Sequence, residues 1–99
     1  MKIVAVTACP TGIAHTYMAA EKLERAAKKL GHAIKVETQG SMGIENALKP
    51  ADVTAADVVV LAAGIPVRDR DRFDGKRVVE VAVQDAIRNA EGVLASLGG

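Results

Sequence analysis

The chain has no Trp, one Phe and one Tyr among 99 residues. A core without aromatic bulk must be filled by small aliphatic side chains, which suits closely packed β-α units better than an aromatic-rich sandwich. There is one Cys and there are two His. A lone cysteine forms no internal disulfide, and this set does not make a zinc site, so no metal is expected. An excess of charge of either sign is lacking too: 13 Lys and Arg stand against 12 Asp and Glu, a formal +1. A nucleic-acid binder would carry a basic excess and a basic stripe. No apolar run is long enough to span a bilayer. Met1-Lys2-Ile3-Val4-Ala5-Val6 enters a strand-like run at once, without the pattern of a signal peptide. The expectation is a cytosolic protein with one domain and one core over residues 1–99.

What is present is an alternation of strand and helix signals. Ile3-Val4-Ala5-Val6-Thr7-Ala8 is an apolar run of the buried parallel type, broken by Cys9-Pro10-Thr11-Gly12. A helix is predicted from about Ala14 to Leu30, with Ala19, Leu23, Ala26, Ala27 and Leu30 on one face and Gly31 as its left-handed cap. Ala33 to Thr38 alternates apolar and polar, as an edge-like or half-covered strand would. Gln39-Gly40-Ser41-Met42-Gly43 reads as a second glycine-bearing loop, Ile44 to Leu48 as a short helix ended before Pro50, and Thr54 to Asp57 as a turn or a single helical turn. Val58 to Ala63 is a second buried strand, ended by Gly64 and Pro66. A polar segment, Arg68 to Arg72, leads to an Asp74-Gly75 turn, a short strand Arg77 to Val81 and a last helix Asp85 to Leu97, weakened at Gly92. The pattern calls for an α/β fold: a mostly parallel, Rossmann-like sheet of about four strands flanked by helices. In such sheets ligands bind beyond the carboxyl ends of the strands. The loops Cys9–Ala14, Gln39–Gly43 and Gly64–Phe73 lie there.

Cys9 is then the residue with chemistry. It ends a buried strand and precedes a helix whose first N–H groups have no intrahelical partners and whose dipole is positive at that end. Both effects favour a thiolate, and the same donors can hold phosphoryl oxygens. Gly12 allows close backbone approach, Pro10 stiffens the turn, and Thr11 and Thr16 offer hydroxyls. His15 falls in the first turn, where it can face the same anion. The alternative for Cys9 is a small buried apolar residue, and for His15 an exposed helix residue or cap. His32, after the helix-ending Gly31, reads as a surface residue.

Cysteine-dependent phosphatases carry C-x5-R followed by Ser or Thr. Here Cys9 is followed at the same spacing by His15 and Thr16. Without the bidentate guanidinium, hydrolysis loses transition-state stabilisation. Asp69, Asp71 and Asp74 are general-acid candidates by location only; a charged surface run is the competing reading. A loop that binds phosphate but passes it poorly to water should keep a phosphoenzyme long enough to donate elsewhere. There is no G-x4-G-K-[ST] loop.

Cys9-Pro10-Thr11-Gly12-Ile13-Ala14-His15-Thr16 resembles the phosphorylation loop of enzyme IIB of the fructose class of bacterial phosphoenolpyruvate:sugar phosphotransferase systems. Val36-Glu37-Thr38-Gln39-Gly40-Ser41 with Gly43 and Asn46 resembles that family's second motif, and Arg72-Phe73 with Gly75-Lys76 its third. The resemblance implies that Cys9 accepts a phosphoryl group from phosphohistidine of a IIA partner and passes it to a sugar, fructose or a related one, imported by the IIC membrane transporter. It implies Cys9 as the phosphocysteine, His15 as a stabiliser, and Pro10, Thr11, Gly12, Ile13, Ala14 and Thr16 as the phosphate cradle. Gln39, Gly40 and Ser41 would form a neighbouring second loop, with Gln39 either chemical or a loop-fixing hydrogen bonder. No cofactor is implied. A domain docking two partners in turn is expected to be a monomer with small interfaces, cytoplasmic and associating with the transporter. Where members often read Ala-Asp-Ile-x-Val-Asp after the third strand, this chain has Ala63-Gly64-Ile65-Pro66-Val67-Arg68, so both acids are lost. A small cysteine phosphatase and a phospho-accepting regulatory domain remain alternatives.

Overall fold

Along the first strand, β1 (Lys2–Ala8), Ile3 and Ala5 enter one apolar cluster while Val4 and Val6 enter another. Period-2 alternation with both faces apolar is the signature of a strand covered on both sides. The computed structural model describes residues 1–9, 14–41 and 43–97. After β1 come α1 (Ala14–Leu30), β2 (Ala33–Gly40), β3 (Gly43–Glu45), α2 (Pro50–Ala55), β4 (Val58–Ala63), a 3₁₀ turn (Arg70–Phe73), β5 (Val78–Val81), α3 (Val83–Arg88) and α4 (Ala90–Ala95). Among the described residues these strands form one sheet in the order β3-β2-β1-β4-β5. All neighbours are parallel except β2 and β3. In register, Ile3 and Ala5 lie beside Val58 and Val60, and Val4 and Val6 beside Val59 and Leu61. The two faces therefore stay in phase across the centre of the sheet.

The first face is covered by α1, α3 and α4. Ala19, Leu23, Ala26 and Ala27 of α1 meet Ala86, Val93 and Leu94 over Ile3, Ala5, Val58 and Val60. Alanine on both sides lets the helices come close, and so few aromatics are needed. Leu30 departs from its expected place on that face: it is 38% exposed, on the final turn. That turn is closed by His32 N–H donating to Ala27 O (2.8 Å) and Gly31 N–H to Lys28 O (3.2 Å), with Gly31 at φ 79°. This is the paired closure that a left-handed glycine permits.

The second face is smaller. Leu48, Val53, Ala56 and Phe73 cover Val4, Val6, Val59 and Leu61. The one Phe of the chain fills the largest volume there, on the 3₁₀ turn.

Four local expectations are corrected. The sheet has a fifth strand, because Gly43 to Glu45 forms a short antiparallel edge and not the start of a helix. Gly43, at φ 92°, closes a tight hairpin opposite Gly40, which pulls Ile44 beside Gln39. With that edge added, β2 is flanked on both sides near its end and is not an edge strand. Pro50 opens α2, where its missing N–H is harmless, and the Asp52 carboxylate accepts from Lys49 N–H (2.9 Å). The last helix is two helices broken at Asn89, whose side chain accepts from Gly92 N–H (3.2 Å) and caps α4. A Cβ on Gly92 would stand 2.2 Å from Asn89 Nδ2, so glycine makes room for that cap.

Phe73→Ala should lower the unfolding free energy by about 3–4 kcal/mol in urea denaturation, since it empties the largest side-chain volume of the second face. A loss under about 1 kcal/mol would mean that this face is not a closed core.

Candidate functional site

The strand order reverses at β1: the chain moves from β1 to β2 on one side and reaches β4 on the other. The carboxyl end of such a strand opens into a crevice between diverging connections. Cys9 is the next residue after β1, buried at 9% exposure. Its neighbour Ala8 is held on both flanks, beside Gln39 of β2 and Ala63 of β4. Gly64 N–H donates to Ala8 O (2.9 Å), so the turn leaving β4 is tied to the residue before the sulfur. Thr7, fully buried, donates from Oγ1 to Thr16 O (3.0 Å) and links β1 to the first turn of α1. That turn contains no acidic residue, while Lys28 and Lys29 close the far end. The positive end of this helix is therefore not offset beside Cys9.

Of the expected cradle, Ala14 opens α1, His15 is exposed on its first turn, and Thr16 is fully buried. Thr16 Oγ1 has no partner among the described residues, nor does Thr38 Oγ1 on the adjoining strand. Pro10, Thr11, Gly12 and Ile13 lie outside the described residues. Gly40 and Ser41 form the start of the β2-β3 hairpin. Tyr17 reaches across to that hairpin and donates its hydroxyl to Glu45. The accepting carboxylate holds the Tyr17 phenol above its ordinary pKa, with some desolvation and the charge of Glu45 adding to the effect.

The Gln39 side chain bonds both within β2 and to the connection after β4. Its side-chain N–H groups donate to Glu37 Oε2 (2.7 Å) and to Arg68 O (3.2 Å), and its Oε1 accepts from Arg68 N–H (2.8 Å). The Gly64–Phe73 connection is thereby pinned to the sheet by the backbone of Arg68. Glu37 underneath is fully buried, and its carboxylate accepts from Arg72 Nη1 (2.8 Å), Arg72 Nη2 (2.6 Å), Gln39 Nε2 and Leu48 N–H (2.9 Å). Burial alone would push the Glu37 pKa up. The bonds from Arg72, Gln39 and Leu48 outweigh it and hold the carboxyl below its ordinary value. Arg72 is held above its own, first by Glu37, and lies 4.7 Å over the Phe73 ring. Arg72 is therefore not a solvated surface charge; it is paired and half-buried. Arg70 pairs with Glu80. Arg68 is exposed and has no ion-pair partner among the described residues.

Large exposed apolar side chains gather at the same end. Tyr17 and Met18 on α1, Ile44 on β3 and Ile65 after β4 are each about two-fifths exposed (37–43%). Among the described residues no group of three or more His, Cys, Asp or Glu is placed to hold a metal ion. None of the described helices is long and apolar enough to cross a membrane.

Residues 4–96 match the family model described as the lactose/cellobiose-specific IIB subunit of the PTS system. The chain belongs to the EIIB family. Its class follows from nearer relatives. The fructose-like EIIB component 2 of Escherichia coli K12 is 52% identical over 97% of this chain and 91% of that protein. The fructose-like EIIBC component of the same strain is 52% identical over 98% of this chain, which spans 20% of that longer protein. Among solved structures, a domain of the fructose-specific IIABC component of Borrelia burgdorferi superposes with a TM-score of 0.91 at 54% identity, covering 95% of this chain and 89% of the other. The enzyme IIB subunit of E. coli K12 superposes at 0.92 with 42% identity, covering 97% and 89%. These place the chain in the fructose class of EIIB. An arsenate reductase shares the fold alone, at a TM-score of 0.58 and 13% identity.

Sequence reasoning quoted Glu37 and Arg72 inside EIIB-like motifs but gave them no task. The signal was available: an acid within a strand and an arginine beside the one Phe. Nothing in local spacing says that they meet.

The depressed Glu37 pKa means that its contribution is complete above the unfolded carboxyl value of about 4.3 and is lost as pH falls through the lower folded value. Glu37→Gln should cost about 2 kcal/mol at pH 7, because Arg72 then loses its counter-charge while keeping some water contact. The gap to the parent should shrink below about pH 4. Urea unfolding of both proteins at pH 7 and pH 3 measures this. A gap that does not change with pH would show that the Glu37 charge is not the stabilising element.

Proposed function

We propose that Cys9 carries a phosphoryl group from a phosphohistidine of an EIIA partner to a sugar held by an EIIC transporter, with residues 1–99 acting as one EIIB domain. The observation that carries this reading is the place of the sulfur. It sits at the strand-order reversal, where β1 gives way to the unoffset positive end of a 17-residue helix. Membership of the fructose class supports it, and the EIIBC relative supports a transporter as the second partner.

In the first step the Cys9 thiolate attacks phosphorus. The S–P bond forms, the P–N bond to the partner's imidazole breaks, and the leaving nitrogen gains the proton that the thiol gave up. In the second step a sugar hydroxyl oxygen attacks the same phosphorus. The O–P bond forms, the S–P bond breaks, and the hydroxyl proton passes to a base on the transporter side or to water, which regenerates the thiolate. Such transfer depends on positioning and on stabilising charge, and needs no cofactor here. The N–H groups at the start of α1, with Pro10 to Ala14 and the Thr16 hydroxyl, are the cradle in this reading. His15, exposed beside it, steadies the phosphoryl group, and Gly40 and Ser41 border the site. The apolar rim of Tyr17, Met18, Ile44 and Ile65 supports docking of each partner over Cys9, by a monomer working at the cytoplasmic face of the membrane. The transporter selects the sugar, fructose or a related one.

Incubation with phosphoenolpyruvate, the general phosphotransfer proteins and a fructose-class EIIA, followed by peptide mass spectrometry, tests the reading. One phosphoryl group should appear on the Cys9 peptide and be absent in Cys9→Ala, which should still fold. Label persisting in Cys9→Ala would remove Cys9 from the role. Brisk turnover of an aryl phosphate by the isolated protein would instead favour a phosphatase. A phosphocysteine that never reaches sugar in transporter-bearing membranes would favour a regulator.

A further inference from the structure

The connection after β4 is held beside Cys9 in an unusual way. From Gly64 to Arg68 only Val67 packs its side chain against the second face, yet the backbone is gripped at two points. Gly64 N–H donates to Ala8 O (2.9 Å), next to the sulfur-bearing residue. Arg68 gives both its N–H (2.8 Å) and its carbonyl (3.2 Å) to the amide of Gln39, which itself lies beside Ala8 in the sheet. Between these points Gly64, Ile65 and Pro66 are exposed, and Val67 is half-buried against the second face. The segment walls a cavity of about 420 Å³ with Leu61, Arg70 and Glu80. Gln39 has spent both N–H groups and its oxygen on Glu37 and Arg68, so it serves position and not phosphoryl binding.

We propose that Gln39, oriented by Glu37, is a positioning residue that presets the 64–68 segment as part of the surface docking the phosphoryl donor protein, and so sets donor affinity while leaving the chemistry at Cys9 alone. The proposal rests on the phosphocysteine reading above. A partner delivering phosphorus to a buried sulfur must seat on whatever borders it, and this segment is tied to the adjacent residue. Holding the segment in place before contact removes an ordering cost from docking. An unpinned segment has to be ordered at each encounter, which raises KM for the donor and leaves kcat near its original value.

The test is the initial rate of Cys9 phosphorylation against concentration of phosphorylated EIIA, with two variants. Gln39→Leu keeps bulk and removes all three bonds. Arg68→Pro removes the N–H that Gln39 Oε1 accepts together with the exposed guanidinium, so its KM is read against Arg68→Ala, which loses the guanidinium and keeps the N–H. Both should raise the donor KM, Gln39→Leu by about tenfold and Arg68→Pro by less, with kcat within about twofold. Hydrogen exchange at the Arg68 amide of Gln39→Leu should accelerate in parallel. Unchanged KM with a deprotected Arg68 amide would show that the segment does not dock the donor. A fall in kcat at unchanged KM would make Gln39 part of the chemistry. Either result overturns the proposal. The endpoint at saturating donor, one phosphoryl group on Cys9, is read separately in the same samples. Its absence in the parent protein would sink the phosphocysteine reading instead.

Discussion

A carboxylate at zero exposure cannot stay ionised without donors, and Glu37 gathers four of them from three places in the chain. Arg72 comes from the 3₁₀ turn, Leu48 N–H from the segment after β3, and Gln39 from the same strand. Leaving Arg72 out would strand an uncompensated charge in the interior, at a cost of several kcal/mol, and leaving out either neutral donor would weaken the hold on the carboxylate by less. The requirement therefore organises the second face. Arg72 brings Phe73 with it, Leu48 is drawn over Val4 and Val6, and Gln39 is aimed at the backbone of Arg68. The ion pair need not add net stability over an apolar substitute. What it adds is uniqueness, since one arrangement of three segments satisfies the carboxylate.

That arrangement also bears on the sulfur. Cys9 belongs to the first face, among α1 and the alanines, while Glu37 belongs to the second. The two are joined through the sheet by Ala8, which has Gln39 on one flank and Ala63 on the other and accepts from Gly64. The site is thus fixed from both faces. Thr7 ties the strand to the helix that supplies the N–H groups, and the Gln39 amide ties the strand to the loop on the far side. Tyr17 and Glu45 add a third tie, from α1 to the edge hairpin.

Much of this was legible in the sequence. The buried strands 3–8 and 58–63, the helix from Ala14 to Leu30 and its Gly31 closure were all readable because each rests on local periodicity or on one residue's backbone freedom. The place of Cys9 followed from the order of these elements. Other features were not local. Lys35 and Glu37 share a strand face and look alike in an alternating pattern, yet Lys35 is exposed and Glu37 is buried. The difference is made by β3 and Leu48, which cover only the carboxyl half of β2. A three-residue edge strand gives too short a pattern to recognise, and residues 44–48 scan equally well as helix. The break at Asn89 depends on an asparagine side chain bending back to Gly92, a capping choice that competes with helix continuation and here uses the space left by the missing Cβ of residue 92.

The same logic bears on the connection from Gly64 to Arg68. Gln39 grips residue 68 through its N–H and its C=O, groups that every residue but proline supplies. Gly64 is gripped through its N–H alone. A loop anchored in this way keeps its path when its side chains change. The bonds that hold residues 64 and 68 run through the backbone and do not depend on which side chains stand there. Arg70 and Arg72 are already committed to Glu80 and Glu37, which leaves Arg68 as the cation of this run directed outward. The scaffold that positions Cys9 is in this sense separable from the side chains that a partner meets, and the separation runs through the backbone of one residue.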